Sequence, residues 1–141
     1  MIDTTAAERR IPARLDRAAG VLLAAAVGDA LGVPYEFAPT ISGEPRMLGG
    51  GLGPYAPGEY SDDTQMAVCI AEVAATGADL TTPEALDAIA DRFLAWRHDG
   101  ATDIGYTTSA ALRGVSPGPG SAKRLAANAA RLFEGSSQSG V

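Results

Sequence analysis

The sequence predicts an all-α fold on three observations: apolar residues recur at three- and four-residue spacing in several stretches, no alternation of period two lasts beyond a few residues, and aromatics are only 6% of a composition that is 46% hydrophobic. A core of alanine and aliphatic side chains suits closely packed helices. At 141 residues the chain has the size of one ordinary domain.

The first helix is expected over 13–31, with Leu15, Ala18, Ala19, Leu22, Leu23 and Ala26 on one face, Pro12 before it and Gly32 after it. Its apolar run, 18–27, is broken by Gly20 and closed by Gly28 and Asp29, so it falls short of the ~20 residues that span a bilayer. The mixed charges before it, from Glu8 to Arg17, are unlike the basic start of an export signal. No membrane association is expected, and a cytoplasmic location fits. The stretch 32–60 holds five of the nine prolines and many glycines and reads as one long loop, of the kind that is usually functional or mobile.

A second helix is expected to start at Ser61 or Asp62, to carry Met66, Ala67, Ile70, Ala71, Val73 and Ala74 toward the core, and to stop at Gly77. Thr81, Thr82, Pro83 and Glu84 combine a hydroxyl cap, a first-turn proline and a carboxylate, and so open a third helix with the stripe Leu86, Ile89, Ala90, Phe93, Leu94 and Trp96. A short helix around 108–113 runs into the Pro117 and Pro119 linker. Ser121 is the expected cap of a last helix through Leu125, Ala129, Leu132 and Phe133. The organisation expected is an arm over 1–11, a helical domain over 12–134 and a Ser/Gly tail over 135–141.

Charge and cysteine content exclude some functions. Eleven Lys and Arg against 17 Asp and Glu give a net charge of -6, with no basic stripe in the sequence to follow a phosphate backbone, so nucleic acid is not an expected partner. The single cysteine, Cys69, lies in an apolar stretch and reads as a buried, inert thiol. His98 is the only histidine, which excludes zinc sites needing a His pair from this chain. Gly49, Gly50, Gly51 and Gly53 invite a phosphate-loop reading, but no Lys-Ser or Lys-Thr follows and no strand precedes. An acyl-phosphate nucleophile at Asp62 would want an apolar strand before it, and Pro57-Gly58-Glu59-Tyr60 stands there instead.

Ser61-Asp62-Asp63-Thr64 places two carboxylates between two hydroxyls at a helix start. Capping is the commoner use of such residues, since their oxygens accept the open N–H groups and negative charge suits the dipole. One cap needs no second adjacent carboxylate, whereas a hard divalent cation wants a cluster of oxygen donors. Glu36, in an apolar setting between Tyr35 and Phe37, and Asp29, at a helix end that disfavours negative charge, are two further acids without an evident structural purpose; either can also be a plain surface carboxylate.

These residues form a pattern. Gly28-Asp29-Ala30-Leu31-Gly32-Val33-Pro34-Tyr35-Glu36-Phe37, then Pro57-Gly58-Glu59-Tyr60-Ser61-Asp62-Asp63-Thr64-Gln65-Met66, then Asp103-Ile104-Gly105-Tyr106-Thr107-Thr108 resemble, in order and spacing, the ADP-ribosylglycohydrolase family. The resemblance runs from about residue 18 to the tail and covers the first half of that family's domain. It implies an all-α hydrolase that uses two Mg2+ ions, or Mn2+, to release ADP-ribose from a protein side chain or an ADP-ribose-containing small molecule. By motif, Ser61, Asp62 and Asp63 correspond to the first metal-ligand triplet, Glu36 to the loop glutamate near metals and substrate, and Asp103 to an acid beside the substrate ribose. Glu36 and Asp103 are thus the expected proton-transfer residues. Tyr106 departs from the small polar residue frequent there. The family's later Asn-Gly-Ser motif and second aspartate cluster are not among these residues. The chain is therefore expected to be a truncated, split or incomplete form, inactive alone, that self-associates or is completed by another chain. The alternative is a non-catalytic helical remnant or interaction module.

Overall fold

A computed structural model describes the backbone of residues 4–138 and the side chains of 14–134. The described chain is helical, with no strand beyond an isolated bridge between Gly50 and Tyr55. It divides into two compact units, Met1–Thr64 and Gln65–Val141.

The first unit begins with α1, Thr4–Gly32, which is longer than expected at both ends. Pro12 does not end it. The proline removes one backbone hydrogen bond, but the alanines, arginines and glutamate around it are strong helix formers that carry the helix through. Residues 4–11 of the expected arm are therefore helical, and residues 1–3 lie outside the described part. A short 3-10 turn, Val33–Tyr35, follows and packs on α1, with Ala30 and Val33 buried. The expected apolar face of α1 is instead open. Leu15, Leu22 and Leu23 are exposed, as are Val21 and Val27. Residues 14–35 reach a mean hydropathy of 1.5, so the helix is long and apolar enough to cross a bilayer, contrary to the expectation from the 18–27 run. Core helices of soluble proteins meet the same two criteria. Asp29 near its end is hydrogen-bonded within the protein and belongs to a folded contact, not to lipid.

The loop after the turn is held by a few specific bonds. The Tyr35 hydroxyl accepts from the Arg46 N–H at 2.8 Å and donates to the Arg46 carbonyl at 3.2 Å. The glycine run serves close approach of backbones: a Cβ on Gly51, at φ +76°, would stand 2.2 Å from the Val33 carbonyl oxygen, and one on Gly49, at φ +68°, 2.4 Å from that of Tyr55. Steric need in a loop accounts for these glycines.

Helix α2, Asp62–Ala74, starts in the first unit and continues into the second. Cys69 and Val73, one turn apart, are its buried apolar positions, while Ile70, expected in the core, is 40% exposed. Burial, with Glu72 adding to it and Arg92 opposing, pushes the Cys69 thiol up, as an inert cysteine requires. Helix α3, Pro83–His98, starts where expected: the Thr82 hydroxyl accepts from the Ala85 N–H and Pro83 opens the first turn. Ala85 and Ala90 are its buried residues, and Leu86 is 43% exposed. Helix α4, Tyr106–Leu112, begins two residues earlier than expected, and α5, Ser121–Gln138, continues about one turn past Phe133 into the stretch read as tail. Residues 139–141 of that tail lie outside the described part. In the second unit α5 packs on both α3 and α4.

Candidate functional site

Ser61 precedes α2 and Asp62 and Asp63 form its first turn, so three oxygen-bearing side chains stand at one helix start. Asp29, in the last turn of α1, makes four hydrogen bonds to this start. Its Oδ1 accepts from Ser61 Oγ at 2.6 Å, and its Oδ2 accepts from Ser61 N at 3.0 Å, Thr64 N at 3.1 Å and Thr64 Oγ1 at 2.6 Å. Burial pushes the Asp29 carboxyl up, but the hydrogen bonds from Ser61 and Thr64 outweigh it and hold the group below the usual carboxylate range. A negative charge at the C-terminal end of α1 is unfavourable by itself. Facing the N–H groups of α2, it is neutralised by the opposite helix end.

Asp29 is thus the cap of α2, supplied from 32 residues upstream. The sequence reading assigned capping to Ser61 and its neighbours and left Asp29 without a purpose, because the pairing is visible only once α1 and α2 are placed. Ser61 is buried, and its O–H points at Asp29, which leaves its oxygen lone pairs for another donor or a cation. Asp62 is half-buried and Asp63 exposed. A cation at a helix N-terminus is opposed by the dipole, so a site there needs more than one carboxylate, which this turn carries.

Glu36 is exposed and ends the 3-10 turn in extended conformation. Phe37 beside it adopts φ 54°, the one described non-glycine residue with positive φ, and its ring is 87% exposed. Such a backbone costs roughly 1 kcal/mol or more and is held here by the Ala38 N–H on the Tyr35 carbonyl, at 3.0 Å. Among the described residues no three of His, Cys, Asp and Glu form a group that holds a metal by itself. The acids at 36, 62 and 63 therefore do not close a complete metal shell among themselves. Their donor chemistry is the hard oxygen type that Mg2+ or Mn2+ takes, and further oxygens would have to fill the remaining positions.

Asp103 lies in the second unit, half-buried, two residues before Gly105, the N-cap of α4. Tyr106, the departure in the third motif, is 79% exposed. His98 is exposed, its Nδ1 3.3 Å from Asp99 on the surface. The second unit has its own distant cap, also unforeseen in the sequence. Asp87 on α3 accepts from Gly120 N at 2.6 Å and Ala122 N at 2.9 Å, and Asp91 one turn on accepts from Gly118 N at 2.9 and 3.0 Å. Ser121, the expected cap of α5, is fully buried and donates to the Asp87 carbonyl instead.

The sequence matches the ADP-ribosylglycohydrolase family over residues 10–140, and the chain belongs to that family. It is 37% identical over 108 residues to an ADP-ribosylarginine hydrolase, Tri1, of Serratia proteamaculans (strain 568), an alignment covering 70% of this chain and 28% of the relative. It is 49% identical over 59 residues to the Tri1 of Pseudomonas putida (strain GB-1), covering 41% and 16%. To the ADP-ribosyl-[dinitrogen reductase] glycohydrolase of Rhodospirillum rubrum it is 32% identical over 108 residues, covering 72% and 35%. The matched part spans about a third or less of each relative's length. No solved structure matches the chain.

Proposed function

We infer that this chain contributes the first part of a metal-dependent site that hydrolyses the glycosidic bond between ADP-ribose and a protein side chain, with arginine as the favoured acceptor. Two relatives named ADP-ribosylarginine hydrolases support the acceptor. The observation that carries the reading is the gathering of oxygen donors at the start of α2: Asp29 accepts from the Ser61 and Thr64 N–H and O–H groups, and the first turn itself brings the carboxylates of Asp62 and Asp63 beside them. A bound Mg2+ or Mn2+ would supply charge stabilisation at the ribose and lower the pKa of a bound water. Ser61, Asp62 and Asp63 would hold the cation, Ser61 through oxygen lone pairs that its bond to Asp29 does not use. Glu36 and Asp103 are the residues proposed to take and return the proton of the attacking water.

Three ligand residues do not fill an octahedral shell, so the 141 residues alone are expected to bind cation weakly and to turn nothing over. The exposed leucines and valines of α1 are proposed to be covered by a second copy or by another polypeptide, within a reducing cytoplasm that suits the one buried thiol. The hydrolase reading is tested in a chimera: the matching 108 residues of the Serratia relative are replaced by those of this chain and hydrolysis of ADP-ribosylated arginine is assayed. Activity is expected to persist and to fall at least ~100-fold with Asp62→Asn plus Asp63→Asn. A chimera that is folded but inactive, or active irrespective of the two aspartates, would contradict the reading and favour an interaction module.

A further inference from the structure

In the second unit a cavity of about 440 Å3 is lined by Arg113, Lys123, Arg124 and Arg131, with Asn128 beside them and no carboxylate in its wall. Four of the chain's eleven cationic side chains thus gather in one place on a protein of net charge -6. None of the four is in an ion pair among the described residues, where the pairs found are Arg92 with Glu72 and His98 with Asp99. The Arg124 charge helps to hold Asp87 ionised, but the carboxylate oxygens of Asp87 accept from the Gly120 and Ala122 N–H groups, and Glu134, one turn beyond Arg131 on α5, does not line the cavity.

The ordinary explanation, solvated surface charges, accounts for only part of this. Arg113 follows the C-terminus of α4, where a cation suits the helix dipole. Lys123 and Arg124 do the reverse, since they occupy the first turn of α5, which contains no acid, and a cation there is disfavoured. The wall is also held in shape. Asn128 donates to the Ala111 and Arg113 carbonyls at 3.0 and 3.1 Å, fixing the end of α4 against α5. Arg124 donates to the Pro119 and Ser116 carbonyls, both at 2.9 Å, fixing the loop before α5. Like charges kept close at an unfavourable helix end by a built framework call for an anion.

We propose that this cavity is a binding site for a diphosphate-type anion, held by Arg113, Lys123, Arg124 and Arg131. Arg113, Lys123, Arg124 and Arg131 bring four positive charges to one cavity, more than a single phosphate of charge about -2 neutralises, which favours two linked phosphoryl groups. Arg124 spends its terminal nitrogens on the Pro119 and Ser116 carbonyls and contributes charge, and Arg131 donates through Nε to the Ala127 carbonyl at 3.3 Å and keeps its terminal nitrogens for a phosphoryl oxygen. The proposal is independent of the hydrolase reading, because it uses none of the residues at the start of α2.

The test is calorimetric titration of the full chain with inorganic pyrophosphate and, in parallel, with ADP-ribose, in metal-free buffer at low salt. One site per chain is expected. Lys123→Ala plus Arg131→Ala, two exposed side chains outside the loop-holding role of Arg124, is expected to weaken binding at least tenfold with the thermal unfolding midpoint unchanged. Tighter pyrophosphate identifies a free anion as the ligand and tighter ADP-ribose a nucleotide, and both sustain the diphosphate chemistry. Absence of binding, equal affinity in the double variant, or tighter binding of a poly-glutamate peptide than of either probe would overturn it.

Discussion

The N-termini of α2 and α5 are capped by the same device and differ in what surrounds it. In each, an aspartate from another helix accepts the open N–H groups: Asp29 of α1 at α2, Asp87 of α3 at α5. At α5 the device is all there is on the acidic side, for the first turn carries no acid and the serine in front is buried in hydrogen bonding. At α2, where Asp29 accepts from Ser61 N and Thr64 N, the first turn also carries Asp62 and Asp63. The α5 start shows that an aspartate from another helix caps without any acid in the first turn, and Asp62 and Asp63 at α2 are the acids proposed to take a cation.

The comparison is broken or sharpened first by removing each cap. Asp29→Ala strips four hydrogen bonds from two buried residues, Ser61 and Thr64, and is expected to cost about 2–3 kcal/mol in denaturant unfolding, with Asp29→Asn recovering part of it. Asp87→Ala, at a more solvated carboxylate, is expected to lower the unfolding midpoint by less. Equal losses at both sites, or a larger one at Asp87, would break the ranking.

A smaller effect is expected from acid. Both caps are carboxyls held below the usual range, Asp29 by bonds that outweigh its burial and Asp87 by the Gly120 and Ala122 N–H groups. Their folded pKa values lie under the unfolded value of about 3.9, so their stabilisation is fully present above that pH and is lost as the pH falls through the lowered folded values. Followed by helical circular dichroism from pH 6 to pH 2, unfolding is expected to begin below about pH 4 and to be shallower in Asp29→Asn. A loss of helix already at pH 6 to 5 would show that other groups control acid stability.

Helix number and order were legible in the sequence because capping and breaking signals are local: Thr82 and Pro83 open α3 as read, and Gly100 and Pro117 bound the helices they should. Which faces are buried was less legible. Alanine-rich stripes carry little contrast, so Cys69 and Val73 could not be preferred over Ile70, or Ala85 and Ala90 over Leu86, without their packing partners. Proline misled at position 12, where strong helix formers on both sides outweigh one lost hydrogen bond. The acids of the candidate site were legible through residue type and motif, but the capping role of Asp29 depends on a contact between positions 29 and 61–64 that no local signal announces. The gathering of Arg113 with three α5 cations was hidden for the same reason, since no stripe marks it along the chain.

Titration of Mn2+ into the metal-free chain, read by water-proton relaxation, tests the proposed cation site at the start of α2 most directly. The account expects weak, saturable binding that Asp62→Asn plus Asp63→Asn abolishes while the thermal midpoint stays within a degree or two of the parent's, a change of well under 1 kcal/mol. A parent chain that binds no Mn2+, or a double variant that binds it as well as the parent, would show that those aspartates hold no cation.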